Sequence, residues 1–215
     1  MTVPRLGRLA GLVALAGVLG FLIHEAGHWV GGRLWGLDMY LQLNKAGPVD
    51  PQADPGFWAQ ITITGAGPVV TLVQALIGLS LARRFPLLGF ALVFTATFMR
   101  ILAFAISILV NPNDEARIGE MLGLGLYPVH LAVIGILLAL LTVTTVRSRA
   151  GWPAFLTAFV MSSVAVTAVV YLDPPDHLKE AWRHAPVILD VGGETDGYIL
   201  PPSGEGGLKF GSGLH

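Results

Sequence analysis

Long apolar runs separated by short polar connections make up most of the chain. They predict five helices, at residues 9–34, 62–82, 87–110, 128–146 and 152–172. An α-helix needs about twenty residues to cross a bilayer, and the second run reaches that length only because it begins before the glycines at 65 and 67. The pattern therefore predicts an all-α polytopic membrane protein with about five transmembrane helices in residues 1–172. The polar, glycine- and proline-rich residues 173–215 are predicted to form a flexible tail.

The connection between the first two helices differs from the others. Residues 38–60 are more polar and contain three prolines, which predicts a loop of about twenty residues. Residues 39–43 and 61–64 carry β-prone side chains in partial alternation. This favours a short membrane-associated β-hairpin between helices 1 and 2, with an irregular loop as the alternative.

Composition narrows the class of protein. Of the 215 residues, 53% are hydrophobic and 13% are charged, which is typical of an integral membrane protein with the lipid bilayer as its surroundings. The chain has no cysteine, so a metal site would have to use histidine, aspartate or glutamate. Net charge is −1 and basic residues are scattered, so we expect no nucleic-acid partner.

The first apolar run contains His24-Glu25-Ala26-Gly27-His28. Histidines four residues apart lie on one face of a helix, so both rings can reach one Zn²⁺, and Glu25 beside them is the candidate catalytic base. Ionisable groups in a membrane helix cost about 2.5 to 3.5 kcal/mol each on insertion scales, so three within five residues argue against passive packing. We interpret His24 and His28 as metal ligands.

A catalytic zinc usually has three protein ligands, so a third is needed. Asp114 is our candidate, because it follows the third predicted helix at the same membrane depth as the histidine pair. Glu115 is the nearest competitor, and Asp38 and His130 are more distant ones. Arg100 lies in the middle of the third run, where it is interpreted as a partner of an acid, a substrate contact or a snorkelling side chain.

Positive charges predict an orientation in the membrane. Connections on one side contain Arg5, Arg8, Arg83, Arg84, Arg147 and Arg149, and those on the other contain Arg33, Lys45 and Arg117. By the positive-inside rule the N-terminus is cytoplasmic and the C-terminus is outside. The histidine pair, the start of the second helix near Gly65-Ala66-Gly67-Pro68 and Asp114 then lie at one depth.

Residues 24–36, HEAGHWVGGRLWG, resemble the zinc-binding signature of the site-2 protease family, and Gly67-Pro68 is similar to that family's Gly-Pro element. In that family a later helix supplies an aspartate as third ligand from a segment that also contains Asn and Pro. Asn111, Pro112 and Asp114 match these residue types with a different spacing. The resemblance covers roughly residues 20–125. Members of the family place the zinc nearer the cytoplasm, whereas the arginines here place it nearer the outside.

This resemblance implies an intramembrane zinc metalloprotease that cleaves transmembrane protein or peptide substrates, in a cell membrane of the bacterial or archaeal type. Tyr40 and Ile63 are the candidate residues for strand pairing with a locally extended substrate, and Gly67 is a third candidate contact. The rival interpretation is a metal-binding membrane protein without protease activity, either a zinc transporter or an inactive scaffold. Hydrolysis of a lipid-linked or other non-peptide amide is a further alternative.

Overall fold

A computed structural model describes residues 2–173 of the chain. Within this range it contains six α-helices and two short β-strands, listed here in chain order: α1 (Val3–Leu34), β1 (Met39–Leu41), β2 (Ala46–Pro48), α2 (Phe57–Leu81), α3 (Pro86–Leu109), α4 (Asp114–Met121), α5 (Pro128–Ser148) and α6 (Trp152–Leu172). The predicted tail lies outside the described residues, apart from Asp173.

The prediction of an all-α polytopic membrane protein is confirmed. Among the described residues, five helices (α1, α2, α3, α5 and α6) are long and apolar enough to cross a membrane. The ends of α3, α5 and α6 agree closely with the sequence pattern. By contrast, α1 begins six residues before its predicted start, with a proline in its first turn, where the missing N–H costs no helical hydrogen bond.

The predicted second strand is wrong. Residues 61–64 lie inside α2, which begins at Phe57. Their β-branched side chains raise strand propensity only weakly, and packing of this segment against α1 decides its conformation. A hairpin does form between helices 1 and 2, but it pairs β1 with β2 in antiparallel register, with Tyr40 opposite Gly47. Pro68 therefore stands inside α2 and not near its start.

The helix α3 lies at the centre of the bundle and packs against α1, α2, α5 and α6. An apolar core fills the end of the bundle where α1, α3 and α6 begin, and includes Leu9, Val13, Phe90, Phe94 and Ala158. In a bilayer, helices associate largely through close van der Waals packing, which small residues allow. Gly17 of α1 illustrates this, because an added Cβ there would lie 2.7 Å from Ala165 of α6. The polar residues of the candidate site lie at the opposite end of the bundle.

Two glycines bring α1 and α2 close together at that opposite end. A Cβ on Gly27 would lie 3.0 Å from the carbonyl oxygen of Ala66, and one on Gly31 would lie 3.2 Å from the Cα of Ile63. The spacing of four residues puts both glycines on one face of α1, where they permit near contact of the two backbones. The histidine pair is therefore held directly against α2.

The short helix α4 was not predicted from the sequence. Its buried residues are Glu115, Ala116 and Gly119, which share one side of the helix. Asn113 precedes it and donates its side-chain amide to the carbonyl of Ala103, 2.9 Å away, so the start of α4 is tied back to α3. This connection turns Asp114 back toward α1.

Candidate metal centre

The histidine pair lies on the buried face of α1. That face continues through Leu9, Val13, Gly20, His24, Gly27, His28 and Gly31, at the three- and four-residue spacing of a helix stripe. His24 is 4% exposed and His28 is 8% exposed. Their Nε2 atoms are 3.2 Å apart. The two rings thus point at one another from successive turns of the same helix.

Residues of α2 fix which nitrogen of each ring carries the proton. The Thr71 hydroxyl donates to the carbonyl oxygen of Gly67 over 3.1 Å, so it can only accept from His24 Nδ1, which is 3.0 Å away. His28 Nδ1 donates to the carbonyl oxygen of Ile63 over 2.7 Å. With the proton of each neutral ring on Nδ1, both Nε2 atoms present lone pairs. Metal-binding histidines usually donate the N–H of their other ring nitrogen to an oxygen acceptor in this way.

Asp114 brings a carboxylate to the same point. Its Oδ2 atom lies 3.1 Å from His24 Nε2 and 3.5 Å from His28 Nε2. Three electron-pair donors therefore converge, and such an arrangement is stable only with a proton or a metal cation among them. Zinc bonds of 2.0 to 2.1 Å in tetrahedral geometry separate neighbouring ligand atoms by about 3.3 Å, close to all three distances here. The donor set fits Zn²⁺.

Charge also favours a cation at this point. The Asp114 carboxylate lies against two imidazoles, and Arg100, which lies beside it, also contacts Glu115. A buried carboxylate is costly in low dielectric without a cation beside it, and a divalent cation bound by Asp114 and the histidines would supply one.

Glu25 lies beside the two histidines, close enough to them to be a metal ligand itself. It is half-buried, and candidate ligand atoms of His24, Glu25 and His28 all lie within 4.8 Å of one another. Its carboxylate accepts a hydrogen bond from the backbone N–H of Ala46 in β2. The hairpin therefore reaches the centre through Glu25.

The other sequence candidates have different surroundings. Gly67 lies directly against both imidazoles, at a distance that leaves no room for a side chain. Ile63 contacts the centre through its carbonyl oxygen, as the hydrogen-bond acceptor of His28, and not through a strand edge. Tyr40 lies in β1 with its ring over Gly47 and the Lys45 ammonium 5.8 Å from the ring centre.

Behind Asp114 lies a buried polar network that sequence reasoning did not assemble. Arg100 Nη1 is 3.1 Å from Glu115 Oε1 and 3.6 Å from Asp114 Oδ2. On its other side, Glu115 Oε2 lies 3.6 Å from Nδ1 of the fully buried His130. The unusual position of Arg100 within an apolar run was the available signal. Thr71 gave no such signal, because one threonine in a membrane helix is unremarkable.

These features define a multi-pass membrane protein with a candidate metal centre inside its helical bundle. Comparison with models of known protein families, with curated proteins and with solved structures finds no match for this chain.

Proposed function

We propose that this protein is an intramembrane zinc metalloprotease that hydrolyses peptide bonds in or near the transmembrane segments of membrane-protein substrates. The observation that supports it most is the convergence of two imidazoles, each hydrogen-bonded through Nδ1, with the Asp114 carboxylate and a neighbouring glutamate, where membrane-spanning helices meet α4. His24, His28 and Asp114 would hold the metal. Glu25 would be the catalytic base.

In the proposed reaction the metal and the protein side chains have separate roles. Zn²⁺, when bound, would polarise the scissile carbonyl and acidify water. The Glu25 carboxylate would accept a proton as water oxygen bonds to the carbonyl carbon, and would deliver it to the amine nitrogen as the C–N bond breaks. The hydrogen bond from Ala46 orients that carboxylate. Thr71 and Ile63 keep both imidazoles turned toward the metal.

The depth of the centre supports a substrate within the membrane. His28 lies seven residues before Trp35, which is half-exposed near the end of α1, and this corresponds to about 10 Å along a helix. Gly67 lies nine residues after the exposed Trp58, or about 13 Å. Tryptophan marks membrane interfaces, so the site would lie well below one interface.

A substrate helix must be extended locally before its carbonyls are accessible, because helical hydrogen bonds occupy them. The β1–β2 hairpin contacts α1 and meets Glu25 at Ala46. An extended substrate segment paired with the hairpin would lie beside the base. Since residues 61–64 are helical, this pairing would use the hairpin and not the strand predicted there.

The orientation is a separate part of the proposal. The arginine distribution supports a cytoplasmic N-terminus and a metal centre nearer the outer surface. Because the chain has no cysteine, single cysteines placed at Arg83 and at Ala53 can be labelled without background. In intact cells a membrane-impermeant maleimide should label position 53 and spare position 83. The reverse pattern would show that the orientation is inverted.

The activity is tested on purified protein in lipid vesicles, with a pool of synthetic transmembrane peptides that contain glycine or asparagine near one end. We expect zinc-dependent cleavage by the wild type, detected by mass spectrometry. Glu25→Gln is the matched control, since it should keep zinc and lose cleavage. Equal cleavage by Glu25→Gln would contradict the assigned base. Zinc transport into vesicles without any cleavage would contradict the protease proposal and support a transporter.

A further inference from the structure

Arg100 is a buried cation that contacts two carboxylates. It lies on α3, is 5% exposed, and reaches both acids in the first turn of α4 through a single nitrogen, Nη1. The nearer contact is with Glu115, and the farther one is with the same Asp114 oxygen that faces the two imidazoles. Arg100 therefore links Asp114, the candidate third metal ligand, to Glu115, a second acid that is not assigned as a ligand.

The remainder of this network has a consistent direction of hydrogen bonding. The backbone N–H of Asn113 donates to Ser107 Oγ over 3.0 Å. Ser107 lies 3.0 Å from His130 Nε2, so its hydroxyl can donate there and leave a proton on Nδ1, facing Glu115. The network thus runs from α3 through α5 to Glu115 and holds the start of α4 in place.

Pairing of Arg100 with Glu115 does not by itself require contact with Asp114. The Arg100 guanidinium has five N–H donors, yet Nε has no hydrogen-bond partner within residues 2–173, while Nη1 lies between the two carboxylates. This placement gives up one available hydrogen bond and puts positive charge against Asp114 Oδ2. Outer partners of metal ligands orient the ligand, and their removal typically lowers metal affinity about 10- to 100-fold.

We propose that Arg100 is a positioning residue for the third metal ligand, which keeps Asp114 Oδ2 turned toward His24 and His28. This inference rests on the proposed metal centre. Without Arg100, the two adjacent carboxylates would lie together in a buried site with no cation between them, and Asp114 would turn away from the histidines.

The experiment separates this role from simple neutralisation of Glu115. It compares four purified proteins: the wild type, Glu115→Gln, the double variant Arg100→Gln/Glu115→Gln, and Arg33→Gln. The double variant has the same net charge as the wild type and keeps Asp114 and both of the imidazoles that contact it in the wild type, so it is expected to fold. Arg33 pairs with Asp38 at the protein surface and controls for the loss of an arginine. Zinc affinity is measured by competition with a chelator, and ligand geometry by the visible spectrum of the Co²⁺-loaded protein.

If Arg100 positions Asp114, Glu115→Gln and Arg33→Gln keep the wild-type Co²⁺ spectrum. The double variant should bind zinc at least about tenfold more weakly and show a changed spectrum. A double variant with wild-type affinity and spectrum would overturn the inference, because Arg100 would then serve only Glu115. A wild type that binds no zinc would instead refute the proposed metal centre, so the two failures are distinguishable.

Discussion

Gly67 offers the sharpest test of the geometry around the histidines. An alanine there would place its methyl group 2.6 Å from His24 Cε1 and 2.7 Å from His24 Nε2, and closer still to His28 Nε2. Ordinary van der Waals contact of a Cβ begins at 3.4 Å, so the overlap with His24 is about 0.7 Å or more. At least one imidazole must turn, which moves its Nε2 atom away from the centre.

The expected cost follows from the loss of one ligand. A disturbed outer partner lowers metal affinity about 10- to 100-fold, and a displaced ligand should cost at least the upper value. A 100-fold loss corresponds to about 2.7 kcal/mol of binding free energy. Gly67→Ala should therefore bind zinc at least about 100-fold more weakly than the wild type in a chelator competition assay.

Gly65→Ala is the matched control. It lies on the same helix, and among the described residues its added methyl would meet only Ile118 Cδ1, at an ordinary 3.7 Å. Both substitutions raise helix propensity by about 1 kcal/mol, so a loss of zinc confined to Gly67→Ala cannot arise from helix stability. Wild-type zinc affinity in Gly67→Ala would refute the placement of the two rings against α2.

Three further predictions concern the groups around the ligands. Thr71→Val removes the acceptor for His24 Nδ1 and should weaken zinc binding about tenfold. The control is Thr62→Val, whose hydroxyl donates to the Trp58 carbonyl of its own helix and which should bind zinc as the wild type does. Ala46→Pro removes the N–H that holds the Glu25 carboxylate and should lower cleavage with zinc content unchanged, whereas Ala46→Ser should be active. Equal activity of the two variants would exclude a role of the Ala46 N–H in orienting Glu25. Zinc at about 100 times its Kd should stabilise the protein by about 2.7 kcal/mol, seen as a raised unfolding midpoint that is absent in His24→Ala.

The long helices could be predicted from the sequence because membrane-spanning length and apolar composition are local properties. The hairpin could be predicted only in part. Its first strand lies within residues 39–43, but its second strand is Ala46–Pro48, in a segment with little strand propensity. Residues 61–64 have the higher strand propensity and are nevertheless helical. The glycines of α1 let this segment pack closely against α1 as part of α2. Propensity is a weak guide where tertiary packing decides.

Within the site, the sequence predicted the positions that the structure brings together at the centre. The four-residue spacing of His24 and His28 is a strong signal. Asp114 was predicted from its membrane depth after the third apolar run, and the structure brings it to both histidines. The helix α4 and the contacts of Arg100 could not be predicted in this way, since eight residues carry too little periodicity and the pairing joins separate helices. Such contacts depend on side-chain packing between elements, which one sequence does not encode locally.

The central claim is that His24, His28 and Asp114 form a zinc site. It is tested most directly by measuring the metal content and X-ray absorption spectrum of the purified protein after zinc loading and dialysis. We predict about one zinc per chain, with nitrogen and oxygen ligands at about 2.0 to 2.1 Å. We expect zinc to be retained in Glu25→Gln and lost in His28→Ala and Asp114→Ala. A wild type that retains no zinc, or an Asp114→Ala variant with an unchanged spectrum, would contradict this account.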